Sequence, residues 1–345
     1  MNALVLTEYS KLEFQQVPVP KPGPDEVLVR VAACGICGSD VHGFDGSSGR
    51  RIPPLIMGHE AAGTVAETGP GVTDWSIGER VTFDSTLNCG ECAFCRAGQI
   101  NLCDAREVLG VSCTEFRRNG AFADYVVVPA RVLYRLPDSL PFEEAAMVEA
   151  VSVALHAVAV SGFTEGQTAL VIGAGMIGTL IVQALRVAGA SIILAADLDC
   201  SRLHQAVRSG AHGVIEPSTA ADTATQVRAR LSGGVDHVFE AVGASGAVQD
   251  SVAAVRKGGT VTLVGNIAPR VEIPLQAVVS RQIRLQGSAA SSGEYPRAIE
   301  LLASRQIDVR PLISSIQPFS AGPDAFNRLH RREPNLIKVI LTPDA

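Results

Sequence analysis

The sequence lacks any excess of positive charge. It holds 29 lysine and arginine residues against 35 aspartate and glutamate residues, a formal net charge of −6, and no run of basic residues is longer than about a pair. A protein that binds the phosphate backbone of a nucleic acid needs a concentrated basic face. The charge pattern therefore argues against a nucleic-acid partner.

The N-terminus also lacks an export signal, since no basic segment leads into a long apolar core and no cleavage site of small residues follows. One later segment, residues 166–185, is free of charge and has the hydropathy of a membrane span. Its four glycines interrupt it, which favours a short strand, a tight turn and a helix. These observations predict a cytoplasmic protein with no membrane partner.

Aromatic residues are scarce, at 5% of the 345 residues, and the sequence contains neither an internal repeat nor a low-complexity segment. The chain is nevertheless 47% hydrophobic, which excludes disorder. At about 150 residues per domain, its length predicts two compact domains.

The sequence changes character near residue 142. Before it, short apolar runs alternate with turns rich in glycine, proline and acidic residues, which is typical of an all-β domain over residues 1–150. After it, no proline occurs until Pro217, and strands alternate with helices, which predicts a doubly wound parallel sheet over residues 151–287. The predicted strands of this sheet are Ala169–Ile172, Ile192–Ala196, Val214–Ile215, Val235–Phe239, Thr260–Val264 and Ile283–Gly287.

The remaining residues, 288–345, contain helix candidates at Pro296–Arg305 and Asp324–Arg331 and an apolar strand at Leu336–Leu341. We expect them to return to the first domain and complete it. The predicted fold class is thus a two-domain α/β protein, with a β domain followed by a parallel-sheet domain.

A glycine-rich turn follows the first predicted parallel strand. The segment from Gly173 to Gly178 has the G-x-G-x-x-G spacing of dinucleotide-binding turns and opens an apolar helix. In such turns the first glycine allows the bend, the second lets a pyrophosphate approach the backbone, and the third lets helix and strand pack closely. The predicted cofactor contacts are therefore Gly173, Gly175, Met176, Ile177 and Gly178.

An acidic residue at the end of the next strand predicts which dinucleotide binds. Asp197 lies nineteen residues after Gly178, where a carboxylate accepts hydrogen bonds from ribose hydroxyls and repels a 2′-phosphate. Asp199 adds negative charge nearby. The pattern favours NAD over NADP, with Arg202 either covering the adenine or facing water.

Four of the eight cysteines, Cys89, Cys92, Cys95 and Cys103, lie within fifteen residues. Without an export signal, metal binding is favoured over disulfides, and four thiolates predict a structural zinc site in a lobe over residues 88–113. The alternative is an iron–sulfur cluster. In the bacterial cluster motif, however, the fourth cysteine follows after three residues and precedes proline, whereas here the gap is seven residues and Asp104 follows.

A second group of potential metal ligands is dispersed along the chain. Cys37, His59, Glu60 and Glu149 are residue types that bind zinc, but no short spacing forces them together. Spacing alone favours the simpler interpretation of a buried thiol, a surface histidine and ordinary acids over a shared metal site.

The order of these motifs resembles that of the zinc-dependent medium-chain alcohol dehydrogenases. Residues 35–42 (GICGSDVH), residues 58–63 (GHEAAG), the cysteine lobe and the late glycine-rich turn follow one another as in that family, over essentially the whole chain. The chain is most similar to the polyol branch, which includes sorbitol, L-iditol, galactitol-phosphate and threonine dehydrogenases. This resemblance implies a GroES-like catalytic domain, an inserted Rossmann domain with a cleft between the two, and a homodimer or homotetramer.

The resemblance also implies the ligands of a catalytic zinc, making two zinc ions per chain with the structural one. Cys37 and His59 match ligands, Glu60 matches an adjacent acid, and Glu149 stands where the polyol branch supplies a glutamate. Whether Glu60 or Glu149 is the direct third ligand stays open.

The reaction implied by the resemblance is hydride transfer from a secondary alcohol to NAD. Zinc acts as a Lewis acid that makes the alcohol more acidic. Ser39 bonds the reacting oxygen and passes its proton outward, and His42 is the later relay member because histidine titrates near neutral pH. Asp40 orients its neighbours.

The implied substrate is a sugar alcohol or related secondary alcohol, which gives a ketose or ketone. Residues 43–44 and 290–291 depart from the pattern of the animal sorbitol members, which argues against sorbitol itself. Arg50 and Arg51 either receive a phosphate or carboxylate of the substrate or face solvent, as most loop arginines do.

Three alternatives remain at this point. The substrate is threonine or a sugar acid, the cysteine lobe is a nucleic-acid-binding finger, or the chain binds NAD and zinc without catalysis. The negative charge of the chain argues against the second alternative. The third is opposed by the presence of all the candidate catalytic residues, Cys37, Ser39, His42, His59 and Glu149. The identity of the alcohol, the oligomeric state and the physiological direction stay open.

Overall fold

The computed structural model describes residues 1–217 and 222–344. The chain divides into two compact units. The first consists of Met1–Glu149, Tyr295–Arg305 and Val309–Ala345, and the second of Ala150–Glu294 and Gln306–Asp308. The sequence placed the return to the first domain at residue 288, but the second unit extends to Glu294. The carboxylate of Glu294 lies 2.7 Å from Nδ1 of His156, within hydrogen-bond distance, and this contact joins Glu294 to the second unit.

The described residues form the following strands and helices. The strands are β1 (Asn2–Glu8), β2 (Lys11–Gln16), β3 (Glu26–Gly35), β4 (Leu55–Ile56), β5 (Glu60–Thr68), β6 (Arg80–Phe83), β7 (Thr86–Leu87), β8 (Glu107–Val108), β9 (Val111–Ser112), β10 (Arg117–Arg118), β11 (Tyr125–Pro129), β12 (Leu133–Arg135), β13 (Thr168–Ile172), β14 (Ile192–Ala196), β15 (Gly213–Ile215), β16 (Val235–Glu240), β17 (Val255–Leu263), β18 (Arg284–Gly287), β19 (Ile313–Pro318) and β20 (Lys338–Thr342). The α-helices are α1 (Gly38–Phe44), α2 (Ala93–Arg96), α3 (Phe142–Ala145), α4 (Val148–Ser161), α5 (Met176–Val187), α6 (Cys200–Arg208), α7 (Thr223–Arg230), α8 (Ser245–Ala254), α9 (Leu275–Ser280), α10 (Tyr295–Ala303) and α11 (Gly322–His330).

Strand β3 is the centre of the first unit. It pairs antiparallel with β5, β11 and β20, in a sheet whose order is β12-β6-β5-β3-β20-β19. Its β-branched residues Val27, Val29 and Val31 are buried, whereas Arg30 between them is exposed, as the alternation of a strand requires. Because β20 pairs with β3, the C-terminal tail is an integral part of this unit.

The tail also supports helix α1. Phe326 of α11 packs against Phe44 of α1 with ring centroids 5.7 Å apart, and against Phe122 at the same distance with perpendicular rings. All three rings are buried. Helix α1 begins at Cys37, which forms a reciprocal N-terminal cap with Asp40. These contacts hold α1 in place on the core.

The second unit contains the predicted doubly wound sheet. Its strand order is β15-β14-β13-β16-β17-β18 and every pairing is parallel, which confirms the fold class. Each predicted strand is present. The largest difference is β17, which begins at Val255 and not at Thr260, because Val255 already pairs with Val235 before an irregularity in the register.

The charge-free segment 166–185 is divided between β13 and α5, as its glycines predict. Another stretch of the described residues, Phe142–Ser161, is long and apolar enough to cross a membrane by composition, with a hydropathy of 1.4. It is 67% buried within the protein, which is typical of a core helix.

Candidate metal and dinucleotide sites

Three of the dispersed ligand candidates meet in the first unit. The Sγ of Cys37, a ring nitrogen of His59 and a carboxylate oxygen of Glu60 all lie within 4.8 Å of one another. The cause is strand pairing, because Glu60 opens β5 directly opposite Gly35 at the end of β3. Cys37 follows β3 by two residues, so the pairing brings it beside the residue pair His59 and Glu60.

Asp40 orients the histidine of this cluster. It is fully buried, and its Oδ1 lies 3.4 Å from Nδ1 of His59. Although burial opposes ionisation, His59 and the nearby Arg51 lower the pKa of Asp40 to about 2, so the group is an anion. A carboxylate that faces Nδ1 favours a proton there and leaves Nε2 free to bind a metal.

Glu60 forms a buried ion pair that the sequence did not reveal. Its Oε2 accepts a hydrogen bond from Nζ of Lys338, which also donates to the carbonyl oxygen of Ile36 at 3.0 Å. Lys338 is 1% exposed. A lysine inside the predicted apolar strand Leu336–Leu341 was the available signal, since a buried ammonium needs an anionic partner.

The second carboxylate oxygen of Glu60 indicates that the cluster can hold a metal ion. Its Oε1 is buried and has no hydrogen-bond partner among the described residues. A buried acceptor without a donor is costly, and a cation removes that cost. A thiol, an imidazole and a carboxylate are also the ligand types of zinc. The cluster therefore fits a zinc ion.

Glu149 lies at the start of α4, close enough to the cluster to interact with it. Burial raises the pKa of Glu149 to about 7, and the negative charge of Glu60 raises it as well. Two carboxylates that oppose each other's ionisation form a site that favours a cation. Glu60 belongs to the 4.8 Å group with Cys37 and His59, whereas Glu149 is outside it.

The predicted relay residues both lie on α1. Ser39 is exposed, and His42 follows it by one helical turn, on the same side of the helix. The Oγ of Ser39 accepts a hydrogen bond from Nη2 of Arg51 at 3.3 Å.

The position of Arg51 differs from both predictions for the Arg50 and Arg51 pair, which were binding of a substrate anion and exposure to solvent. Its side chain is buried, at 5% exposure, and Nη2 also donates to Oδ1 of Asp40 at 3.1 Å. A guanidinium committed to a buried aspartate neither faces solvent nor is available to a substrate anion. Arg50, by contrast, is exposed.

The cysteine lobe brings its four sulfurs together. The Sγ atoms of Cys89, Cys92, Cys95 and Cys103 lie within 4.8 Å of one another. The separations are 3.5 Å from Cys103 to Cys89 and 3.9 Å from Cys89 to Cys95. Sulfurs about 2.3 Å from one tetrahedral zinc are about 3.8 Å apart, so this group also fits zinc.

Local hydrogen bonds favour the ionised form of one of these thiols, Cys92. Cys92 caps helix α2, and its Sγ accepts the N–H of Cys95 at 3.5 Å. Backbone N–H groups of Cys95 and Asp104 lower the pKa of Cys92 to about 6. Because the thiolate is the form that binds metals, this helix cap favours metal binding.

The glycine-rich turn has the geometry of a phosphate cradle. Gly173 has a φ of +92°, which favours glycine, and a Cβ on Gly178 would lie 1.8 Å from the carbonyl oxygen of Gly173. A Cβ on Gly175 would meet nothing within 4 Å, so the space beside that residue is open. Gly175 is the N-cap of α5, and Met176 and Ile177 form the first turn of the helix.

Asp197 follows β14, and its carboxylate is held toward the glycine-rich turn. Oδ2 accepts the N–H of Ala174 at 2.8 Å, and Oδ1 accepts the N–H of Asp199 at 3.0 Å. Arg202 is half exposed, with Nη1 3.9 Å from Oδ2 of Asp197. The predicted acid and the glycine-rich turn are therefore in direct contact within the second unit.

Comparison with known proteins identifies the family of the chain. Residues 23–138 match the model of the alcohol dehydrogenase GroES-like domain, and residues 177–304 match that of the zinc-binding dehydrogenase family. Sorbitol dehydrogenase of Bacillus subtilis (strain 168) is 33% identical, over 100% of this chain and 98% of that protein. L-Idonate 5-dehydrogenase of Vitis vinifera is 34% identical, over 90% of this chain and 85% of that protein.

A solved structure extends the match to three dimensions. The crystal structure of a protein described as a zinc-binding dehydrogenase from Sinorhizobium meliloti 1021, bound to NADP, is similar with a TM-score of 0.89 and 33% identity, over 99% of both chains. The chain is therefore a zinc- and nicotinamide-dependent dehydrogenase of the zinc-dependent medium-chain alcohol dehydrogenase family and belongs to its polyol branch.

Proposed function

We propose that the protein oxidises a secondary hydroxyl group of a sugar alcohol, or of a closely related compound, to the ketone with NAD as the hydride acceptor. The observation that supports this most is the cluster of Cys37, His59 and Glu60 within 4.8 Å, with Glu149 interacting with it. A catalytic zinc site with three protein ligands differs from the closed four-cysteine lobe, because its fourth position stays open for water or substrate.

Zinc held by Cys37 and His59 with Glu60 or Glu149 supplies Lewis acidity toward the substrate hydroxyl, and NAD accepts the hydride. The chain itself orients the groups around that chemistry. Asp40 holds the imidazole of His59 by its Nδ1 side. The hydroxyl of Ser39, exposed on α1, takes the proton of the substrate hydroxyl as it gives up its own proton toward His42, one turn later, and His42 releases a proton to solvent.

The same proposal assigns the parts of the chain their roles. The first unit holds the catalytic zinc through Cys37, His59, Glu60 and Glu149 and a structural zinc in the cysteine lobe. The second holds NAD through the glycine-rich turn, Asp197 and Arg202. We also propose that the protein is cytoplasmic. The family resemblance further implies a homodimer or homotetramer.

The preference for NAD over NADP follows from Asp197. Its carboxylate lies beside the glycine-rich turn and carries a charge that would repel a 2′-phosphate. We expect Asp197→Ala to lower kcat/KM for NAD by about 10- to 100-fold, the value of hydrogen bonds to a charged group, and to affect NADP less. Initial rates with both cofactors measure this. An unchanged ratio between the cofactors in Asp197→Ala would contradict the assignment.

The proposed function is tested by the rate of NADH formation on a panel of C4 to C6 polyols, their phosphates, aldonates and threonine, before and after metal removal. We expect turnover of one group only, lost when zinc is removed and restored when it is added back. The aldonates belong in the panel because a relative is an L-idonate 5-dehydrogenase. No turnover of any compound by protein that binds both zinc and NAD would overturn the proposal.

A further inference from the structure

Arg51 is a buried cation that none of the roles above explains. Its side chain is 5% exposed, and its Nε is buried without a hydrogen-bond partner. Burying a guanidinium with an unpaired N–H is unfavourable, so an arginine kept at such a position needs a compensating partner. The partners present are Asp40 and Ser39, and both belong to the metal and relay region.

The backbone on both sides of Arg51 is held in place. Arg51 forms an isolated bridge with Ser112, whose carbonyl oxygen accepts the N–H of Ile52 at 3.1 Å. The N–H of Ser112 in turn donates to the carbonyl oxygen of Arg50 at 3.2 Å. The Nη1 of Arg51 also donates to that carbonyl oxygen, at 3.1 Å. The guanidinium therefore projects from a fixed backbone.

Helix α1 is shaped to receive the stem of this side chain. A Cβ on Gly43 would lie 2.0 Å from Cγ and 2.9 Å from Cβ of Arg51. The φ of Gly43 is not in the positive range, so its backbone conformation does not by itself require glycine. The reason for a glycine at this point of the helix is thus the close passage of Arg51.

We propose that Arg51 is a positioning residue of the catalytic site, which holds Asp40 against His59 and holds the hydroxyl of Ser39. One nitrogen, Nη2, serves both contacts, at 3.1 Å to Asp40 and 3.3 Å to Ser39. Asp40 lies between Arg51 and His59, with a single oxygen, Oδ1, facing both. Arg51 therefore acts on the metal through Asp40 and His59, and on the proton acceptor directly.

This inference rests on the proposed function, because it takes Cys37 and His59 as zinc ligands. Its test is independent of turnover. The zinc affinity of the catalytic site is measured by competition with a chelator, and the ligand field is measured by the visible spectrum of the cobalt-loaded protein. The four-cysteine lobe, unchanged in every variant, serves as an internal reference.

In Arg51→Met we expect zinc affinity of the catalytic site to fall by about 10- to 100-fold, the usual effect of losing a group that orients a metal ligand, and the cobalt spectrum to change. Arg51→Lys restores a positive charge beside Asp40 and recovers part of the affinity. If the side chain of Arg51 only filled space, Arg51→Met and Arg51→Lys would have the same zinc affinity. The matched control, Arg50→Met, removes the neighbouring exposed charge and leaves zinc affinity and the cobalt spectrum unchanged.

Gly43→Ala keeps the arginine but displaces it, so it tests the same proposal if Arg51→Met does not fold. Alanine favours a helix over glycine, so a lower zinc affinity in this variant would come from Arg51 and not from α1. Wild-type zinc affinity in both Arg51→Met and Arg51→Lys would overturn the inference, as would lower turnover with unchanged zinc affinity. If the proposed function alone is wrong, wild-type protein turns over no polyol while the variants still differ in zinc affinity.

Discussion

Glu149→Ala is expected to lower kcat/KM with the best polyol by about 100-fold or more, while NAD binding persists. The carboxylate lies close enough to Glu60 and His59 to interact with both, and burial raises its pKa to about 7. Lewis-acid stabilisation of the developing charge is worth several kcal/mol, and about 1.4 kcal/mol corresponds to tenfold in rate. NAD binding is expected to persist because the glycine-rich turn and Asp197 belong to the second unit.

The measurements are initial rates, zinc content and the fluorescence titration of NADH. Glu149→Gln accompanies the alanine variant, because it keeps the volume and removes the charge. The matched control is Glu143→Ala, which removes an acid from the neighbouring helix α3. An unaffected rate with stoichiometric zinc retained would remove Glu149 from the site and leave Glu60 as the third ligand.

Cys103→Ser is expected to remove the structural zinc and destabilise the cysteine lobe. Cys103 is buried, its Sγ lies 3.5 Å from that of Cys89, and it accepts the N–H of Cys89 at 3.3 Å. A serine hydroxyl is not ionised near neutral pH and replaces a thiolate poorly. Because apparent binding energies of structural zinc are about 10 to 16 kcal/mol in small zinc-binding peptides, loss of one ligand is expected to lower the thermal midpoint.

Metal analysis and thermal unfolding test this expectation. We expect zinc content to fall from two ions per chain to one, with the catalytic ion retained. Cys113→Ser is the matched control, because Cys113 lies in the same unit and outside the four-cysteine group. If Cys103→Ser retains two zinc ions and a normal thermal midpoint, the result would argue against a structural metal. If the purified wild-type protein is brown and absorbs visible light, the result would favour an iron–sulfur cluster.

The fold of the second unit was predictable because its signals are local. Each of its strands is a short apolar run between helical segments, and a right-handed connection leaves one common arrangement of such units. The glycine-rich turn and the cysteine lobe were predictable for the same reason. Their residues are neighbours in sequence, so the path of a few residues already brings Gly173 to Gly178 and Cys89 to Cys103.

In the first unit, local sequence does not specify the distances between the site residues. The motif that contains Cys37 and Asp40 predicts chemistry by its resemblance to a family, but its spacing to His59 leaves their distance undetermined. The pairing of β3 with β5 determines it, since Glu60 is opposite Gly35. The buried partner of Glu60 is still further away in sequence, on β20, and becomes its neighbour because β20 pairs with β3 on the other side.

The sequence by itself determined the class of this protein, through a parallel-sheet domain with a glycine-rich turn, a lobe with four clustered cysteines, and motifs of a zinc-dependent dehydrogenase. Only the tertiary structure decided which charges are paired in the interior. Arg51 looked like a loop arginine and is a buried partner of Asp40, and Lys338 is the buried partner of Glu60. The physical reason is that burial and charge pairing depend on long-range strand register, which no local pattern of residues specifies.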